Sequence, residues 1–305
     1  MDKKNNTQVI EFILKGFSTD SNLQIYLFGI FSLIYALTFM GNMMIIATVT
    51  SEPKLHSPMY QFLRSLSLTE IFYISVTVPR MLRDLLQQKR TISFIGCAVQ
   101  LYFFCFLGTT ECFTLAFMAY DRYVAICYPL HYTSIMTKAK CLQLLAGSWL
   151  SGILLSSGQI SYMFSLPFCN ANIIDHFFCD ILPVVKLACA DTFANELAIL
   201  LYSSLVIPLP FLLILVSYIQ IIFSVLKVPS ADGRRKAFST CGSHLTSVTL
   251  FYGSATITYL RTKTNNTNGG AKIWSLLYVV FIPMLNPIIY SLRNKEIKNA
   301  ITKTI

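Results

Sequence analysis

The costliest residues in this sequence are two carboxylates set in apolar surroundings, Glu70 and Glu111. An ionisable side chain inside an apolar stretch long enough to cross a bilayer is expensive and marks a functional site by default. Two such carboxylates brought together either share a proton or hold a cation. Counted from Ser57 and Asp121 at the inner ends of their helices, they reach depths of about 20 and about 15 Å at about 1.5 Å per residue, so they can meet. Asn42 and Asn286 lie at comparable depths. The expectation is a sodium or proton site with no other cofactor, and the alternative is a neutral hydrogen-bonded pair. A second constellation is Asp121-Arg122, where a guanidinium can pair with its neighbouring carboxylate at rest and be released toward a partner. A third, His176-Phe-Phe-Cys-Asp180, offers a soft-metal trio on paper, which a disulfide at Cys179 would dismantle. No nucleophile with a base, glycine-rich phosphate loop or metal-spaced histidine cluster points to an enzyme.

The elements that must position these groups are membrane spans. The chain carries 24 Lys+Arg against 14 Asp+Glu, yet only 12% of its residues are charged and 54% are hydrophobic, whereas an average soluble domain is about 25% charged. A water-soluble globule is excluded. Nucleic-acid binding is excluded too, because the cations are scattered between apolar stretches instead of gathered on one face. Runs free of Lys, Arg, Asp and Glu cover Ser21 to Ser51, Thr91 to Thr110, Cys141 to Ile174, Leu197 to Leu226, Ala237 to Leu260 and Ile273 to Leu292. Each suffices, since about 20 helical residues cross about 30 Å of hydrocarbon. The third run is expected to continue past Glu111 to about Tyr123. A further segment, Ser57 to Met81, holds Glu70 deep and Arg64 near one end, where it can snorkel. The runs do not alternate apolar with polar, so the spans are helices and not barrel strands. The expected architecture is an all-α membrane protein, a seven-helix bundle over residues 23–293, with an amino-terminal tail of residues 1–22 and a short tail of residues 294–305. The first span, with no cleavable leader before it, is expected to act as its own targeting signal.

Lys and Arg divide almost evenly between the two sides, so the positive-inside rule does not decide orientation. Two sequons do, Asn5-Asn6-Thr7 and Asn265-Asn266-Thr267, because both fall on the amino-terminal side and make Asn5 and Asn265 glycosylation candidates. Cys97, Cys169, Cys179 and Cys189 fall there as well, and disulfides persist in an oxidising compartment. That side is extracellular and the carboxyl terminus cytoplasmic. Four cysteines allow three pairings, among which the spacing does not choose. Cys105, Cys112, Cys127, Cys141 and Cys241 are read as small packing residues on helices.

On the outer half of the third span, Cys105, Gly108, Thr109 and Cys112 share one face by their i, i+3, i+4, i+7 spacing. Tyr252, Thr256 and Tyr259 are placed likewise on the sixth, and Tyr202 with Val206 on the fifth. Facing inward, they would enclose a mostly apolar cavity for a small neutral molecule. The third span has no acid before Glu111 to serve a biogenic amine, and the seventh has no internal Lys for a retinal Schiff base.

Met118-Ala-Tyr-Asp-Arg-Tyr-Val-Ala-Ile-Cys127 with Tyr128-Pro-Leu-His-Tyr132 resembles the third-helix signature of vertebrate olfactory receptors, which are rhodopsin-like G-protein-coupled receptors. Leu55-His-Ser-Pro-Met-Tyr60, Lys236-Ala-Phe-Ser-Thr-Cys-Gly-Ser-His-Leu245 and Pro283-Met-Leu-Asn-Pro-Ile-Ile-Tyr-Ser-Leu-Arg-Asn294 carry the same resemblance. Gly41-Asn42 and Ser217-Tyr218 extend it, so that it runs from about residue 23 to 294. The resemblance implies disulfides Cys97 to Cys179 and Cys169 to Cys189, and the larger, terrestrial-type class. It implies a volatile odorant as ligand, met by Phe104, Tyr202, Val206, Tyr252, Tyr259 and Leu276. It also implies that Tyr218 and Tyr290, with the Asn286-Pro287 pair, reorganise around Arg122 on activation. The implied partner is a heterotrimeric G protein of the stimulatory olfactory type that raises cAMP, at the plasma membrane of olfactory cilia. Arg234, Arg235 and Lys236 would meet that G protein or anionic membrane lipid. The family usually carries Asp at position 70, so Glu70 alters the cation geometry. The rival reading is a transporter or channel with a mid-membrane carboxylate site, which would predict inverted repeats or broken helices.

Overall fold

The structure is a computed structural model that describes residues 9–17, 20–169, 172–189, 193–261, 270–293 and 295–304. Span 1 is Ser21–Ser51, span 2 Pro58–Leu86, span 3 Phe94–Cys127 and span 4 Lys138–Phe164. Span 5 comes in two segments, Phe193–Val206 and Pro208–Leu226, and span 6 is Ala231–Arg261. Span 7 runs from Gly270–Leu276 through a π-helical turn, Leu277–Phe281, into Ile282–Arg293. Five of these helices are apolar enough to cross a membrane on length and composition alone, while the second and sixth carry more charge and pack among the others.

Local sequence explains the boundaries. Asp20, Ser93 and Thr137 each accept a backbone N–H of the first helical turn, at 3.0, 3.0 and 3.1 Å, and so cap spans 1, 3 and 4. Pro58 opens span 2 where its missing N–H costs nothing. Pro208 interrupts span 5 because it cannot donate to the helical ladder. Two glycines let helices approach closely. A Cβ on Gly152 of span 4 would stand 2.7 Å from the Phe106 carbonyl oxygen of span 3, and one on Gly41 of span 1 would stand 3.2 Å from the Pro287 ring of span 7.

The buried apolar residues fall into two clusters. The outer includes Phe31, Ile74, Leu107 and Val280, and the inner includes Ile45, Leu66, Leu115 and Tyr290. Between them, in spans 1, 2, 3 and 7, sit Asn42, Glu70, Glu111 and Asn286, none more than 2% exposed.

The all-α expectation is modified at the outer end, where a three-stranded sheet closes the bundle. Its central strand β1, Glu11–Leu14, pairs antiparallel with β2, Thr91–Ser93, and parallel with β3, Ile173–Ile174. Alternation in β1 turns Phe12 and Leu14 inward, Phe12 packing on Phe94 and Phe168 at 5.9 and 5.7 Å. At the other end, where a tail was expected, Lys295–Thr304 is a helix held to span 2 by the Tyr60 hydroxyl on Glu296 Oε2 at 2.5 Å. Asn5 and Asn265 lie outside the described residues.

Both disulfides implied by the resemblance are formed, Cys97 with Cys179 and Cys169 with Cys189. Cys179 N–H also donates to Gln100 Oε1 (3.1 Å), and Gln100 Nε2 to the Val76 carbonyl (3.1 Å), fixing the second outer loop onto spans 2 and 3. Lys272 Nζ ties this loop and the tail together, donating to Asp175 Oδ1 at 2.8 Å and to the Gly16 carbonyl at 2.9 Å. The metal trio read from this loop is undone, since Cys179 is in a disulfide, Asp180 caps Ile181 N–H at 2.7 Å and His176 stacks on Phe177 at 4.5 Å.

Three loop groups titrate abnormally. The Lys272 hydrogen bond holds the Asp175 carboxyl below its usual range. Burial, with the Lys272 charge, pushes His176 down to about 3, and burial raises Asp180 to about 6 against the opposing Ile181 N–H. His176, a base depressed on folding, contributes stability that is present above its unfolded value of 6.5 and is lost as pH falls below it. Asp180, an acid raised on folding, contributes stability that is present below its unfolded value of 3.8 and is lost as pH rises through about 6. Between neutral pH and about pH 5 the two effects oppose. At about 1.4 kcal/mol per pKa unit, Asp180→Asn should lose about 2 kcal/mol on that acidification, while His176→Gln should gain about 1 kcal/mol. Thermal melting of the purified variants across this range checks both signs. Identical pH profiles in the two variants would refute the assignment.

Candidate functional site

A partly open cavity of about 100 Å³ lies in the outer half of the bundle. Phe104, Cys105, Gly108, Thr109 and Cys112 of span 3 line it, as do Tyr202 and Val206 of span 5, all seven read from the sequence. Its walls are mostly apolar, with hydroxyl groups on Tyr73, Thr109, Tyr202, Ser203 and Tyr278. The Tyr202 hydroxyl meets Thr109 Oγ1 at 2.8 Å and Ser156 Oγ at 3.4 Å.

On span 6 the sequence reading is off by one position. Phe251 and Ala255 line the cavity, not Tyr252 and Thr256. One residue is about 100° of rotation, so Thr256 is exposed and Tyr252 turns down into the inner cluster. There its hydroxyl donates to the Cys112 carbonyl at 3.4 Å and its ring meets Phe211 at 5.0 Å. Leu276 packs half-buried against the outer cluster, whereas Tyr278 faces the cavity from span 7. The side chain of Tyr259 lies outside the described residues. The reading missed Tyr73 of span 2, Ile199, Ser203 and Ile207 of span 5, and Ile181 and Leu182, which the disulfide-held loop lowers into the cavity. A long-range loop placement of that kind leaves no helical periodicity to detect.

Beneath the cavity is the polar belt. Glu70 Oε1 accepts from Asn286 Nδ2. Pro287 has no N–H to offer the Pro283 carbonyl one turn earlier, and Asn42 Nδ2 takes up that carbonyl at 3.4 Å and the Thr38 carbonyl at 3.1 Å. Four buried oxygens are left without a hydrogen-bond partner: Asn42 Oδ1, Glu70 Oε2, Glu111 Oε1 and Asn286 Oδ1. Buried polar atoms are normally satisfied, so this set of orphan acceptors has room for a proton, a water or a cation. An all-oxygen donor set suits a hard cation and no soft metal.

At the inner end, Asp121 and Arg122 are both buried, at 1% and 7% exposure. The expected ion pair between them is absent among the described residues. Asp121 Oδ1 instead accepts from the Tyr132 hydroxyl at 2.8 Å, because the short turn after span 3 folds Tyr132 back beneath it. Arg122 Nη2 is left without a hydrogen bond, on the side of span 3 that carries it toward Tyr218, His244 and Tyr290. Sequence reasoning quoted His244 within a motif and gave it no role. The structure does: Nε2 donates to the Leu115 carbonyl at 3.0 Å, which leaves Nδ1 as the acceptor for the Tyr218 hydroxyl at 2.7 Å. Spans 3, 5 and 6 are thereby latched together by one neutral imidazole. Tyr290 is fully buried within the inner cluster.

Comparison with known proteins gives the same architecture. The backbone superposes on the crystal structure of squid rhodopsin with a TM-score of 0.76, covering 94% of this chain and 86% of that one at 20% identity, a likeness of fold. The chain is 51% identical over 302 residues to Olfactory receptor 10A7 of Homo sapiens, covering 99% of this chain and 96% of that protein. It is 52% identical to Olfactory receptor 10A5 of Homo sapiens, covering 98% and 95%. The family model described as "Olfactory receptor" matches residues 31–305. A membrane bundle of receptor fold, with this sequence continuous across it, therefore belongs to the olfactory receptor family, whose members are multi-pass membrane receptors and not enzymes.

Proposed function

We propose that this protein is an odorant receptor that binds small, mostly neutral volatile molecules in the outer cavity and activates a stimulatory olfactory-type G protein, raising cAMP, at the plasma membrane of olfactory cilia. The carrying observation is the cavity itself, mostly apolar and offering a few hydroxyl groups, the paired Thr109 and Tyr202 among them. At about 100 Å³ it is of the order of the roughly 150 Å³ apolar cavities that admit benzene. A ligand of similar size gains apolar burial and can spend one hydrogen bond on Thr109 or Tyr202.

Binding shifts the receptor only through a difference in affinity between its two states. The ligand acts by drawing spans 3, 5 and 6 together around the cavity, which strains the Tyr218 to His244 to Leu115 latch and frees the inner ends to move. Arg122, Asn286, Pro287 and Tyr290 then rearrange, and the exposed inner face, with Arg234 and Arg235, receives the G protein. Glu70 and Glu111, with Asn42 and Asn286, would hold one sodium ion or proton in the resting state. That cation supplies the positive charge the buried carboxylates need, and its release accompanies activation. Asn5 and Asn265 carry the glycans of the outer face.

A cAMP reporter screen against a chemically diverse volatile library tests this reading. Agonists should evoke cAMP with no accompanying solute flux, whereas flux without cAMP would favour a transporter. For agonists bearing a hydroxyl or carbonyl, Thr109→Ala and Tyr202→Phe should each raise the half-maximal concentration by about 3- to 10-fold, the worth of one hydrogen bond. Unmoved dose-response curves for every such agonist would displace the pocket. Raising sodium should lower basal cAMP in the natural protein and leave it unchanged in Glu111→Gln. Basal signalling that ignores sodium but follows pH would assign the belt to a proton.

A further inference from the structure

A second, wider cavity of about 400 Å³ opens at the cytoplasmic flank, where the end of span 1 meets the first turns of spans 2 and 4. It is lined by Thr50, His56, Arg64, Lys138, Leu142 and Leu145 among others, and by no carboxylate. Its back wall is fastened, since Cys141 Sγ donates to the Pro58 carbonyl at 3.8 Å and Trp149 Nε1 to Ser65 Oγ at 3.1 Å, joining span 4 to span 2. His56 is held at the rim by its Nε2 contact with the Thr50 carbonyl at 3.4 Å.

Arg64 is the unexplained residue here. It lies inside span 2, six residues after Pro58 and thus about 9 Å into the helix at about 1.5 Å per residue. It is exposed, lines the cavity, and forms no ion pair or hydrogen bond with any described residue. A guanidinium at that depth requires a partner or a path to the interface. The best partner is a phosphate, which the guanidinium fork can grip at two oxygens. Lys138, in the first turn of span 4, adds a second cation to the same cavity, and Leu142 and Leu145 continue from it along span 4 as an apolar strip. Cations at the mouth and a strip of leucines running into the bilayer match one amphiphile, and the cytoplasmic leaflet is where anionic lipids gather.

We propose that this cavity binds an anionic phospholipid of the cytoplasmic leaflet, its phosphate on Arg64, its additional headgroup charge on Lys138 and one acyl chain along Leu142 and Leu145. The site is separate from the ligand cavity and from the Arg234 and Arg235 cluster on span 6.

The test uses the full chain purified into phosphatidylcholine nanodiscs, with a fluorescent phosphatidylinositol 4,5-bisphosphate titrated in. Binding should saturate. Arg64→Gln and Lys138→Gln should each weaken it about fivefold, the usual worth of one basic residue at an anionic membrane surface. Lys89→Gln, exposed beyond the opposite end of span 2, should leave it unchanged. Unaltered affinity in both Arg64→Gln and Lys138→Gln would overturn the proposal. So would equal occupancy by unlabelled phosphatidylcholine, which would make this a neutral-lipid groove. Competition by soluble inositol 1,4,5-trisphosphate as strong as that by the lipid would overturn it as well, assigning the cations to a free phosphate ligand. Should Arg64→Gln fail to fold, Lys138→Gln carries the same decision, because its side chain is exposed at a helix end.

Discussion

The structure is organised around one expense, a glutamate with no exposure at all in the middle of a membrane bundle. Water does not reach Glu70 there, so its neighbours must supply the polar contacts that water would. Asn286 donates to it, and Asn286 is available because span 7 is locally irregular, with Pro287 withholding the N–H that the Pro283 carbonyl would have used. That carbonyl is satisfied from span 1 by Asn42, and span 1 can come close enough only because Gly41 presents no Cβ to the Pro287 ring. A proline, a glycine and two asparagines from spans 1 and 7 thus serve one carboxylate of span 2. The same requirement splits the apolar core in two. No fully apolar packing can run through the level of Glu70 and Glu111, so the outer and inner clusters are built separately and can shift relative to each other. A conformational switch needs such a seam, because well-packed cores move between discrete arrangements and do not deform smoothly.

What the sequence disclosed follows the physics that is local to it. Charge-free runs disclosed spans because a bilayer punishes charge wherever it falls in the run. Span 6 was placed from Ala237, but its helix begins at Ala231, since Arg234 and Arg235 can be helical once they lie outside the hydrocarbon. Rotation about a helix axis was harder. The pairs Phe251 with Ala255 and Tyr252 with Thr256 both satisfy an i, i+4 spacing, and only packing against spans 3 and 5 decides which faces the cavity. The hydroxyl-bearing pair was the more attractive for ligand chemistry and was the wrong one. Asp121 presents the same limit: adjacency in sequence suggested Arg122 as its partner, yet successive residues on a helix point about 100° apart, and the folded-back Tyr132 reaches it instead. Strand β1, only four residues long, was invisible because its partners come from residues 91–93 and 173–174.

The outer loop shows how a segment without regular structure can be as fixed as a helix. Cys179 is held covalently to span 3, its N–H is held by Gln100, and Gln100 is held by a span 2 carbonyl. Ile181 and Leu182 follow immediately, so their position over the cavity is set by the top of span 3 and hardly by the loop's own sequence. Burying His176 and Asp180 under the same roof has an electrostatic cost, offset in part for Asp180 by the Ile181 N–H and for His176 by the Ser275 hydroxyl at 3.2 Å, with the ring stacked on Phe177 and edge-on to Phe178. The roof is therefore polar where it is anchored and apolar where it lines the cavity.

The cavity and the inner latch are joined by span 3, and the route can be followed atom by atom. Thr109 and Cys112 face the cavity, Glu111 lies in the seam, Leu115 opens the inner cluster and Arg122 ends the series. Span 6 is hydrogen-bonded to span 3 at two levels, by Tyr252 to the Cys112 carbonyl and by His244 to the Leu115 carbonyl. Both acceptors are helical carbonyls, each also committed to its own helix, so neither bond is strong and neither side chain is covalently bound to its place. A ligand pressing on Phe251 pushes directly beside Tyr252, and any rotation of span 6 that lengthens the upper bond turns His244, eight residues further in, away from Leu115 and from Tyr218 together. One imidazole thus takes part in both the contact with span 3 and the contact with span 5. A displacement of span 6 that moved His244 would therefore bear on spans 3 and 5 together, through one side chain.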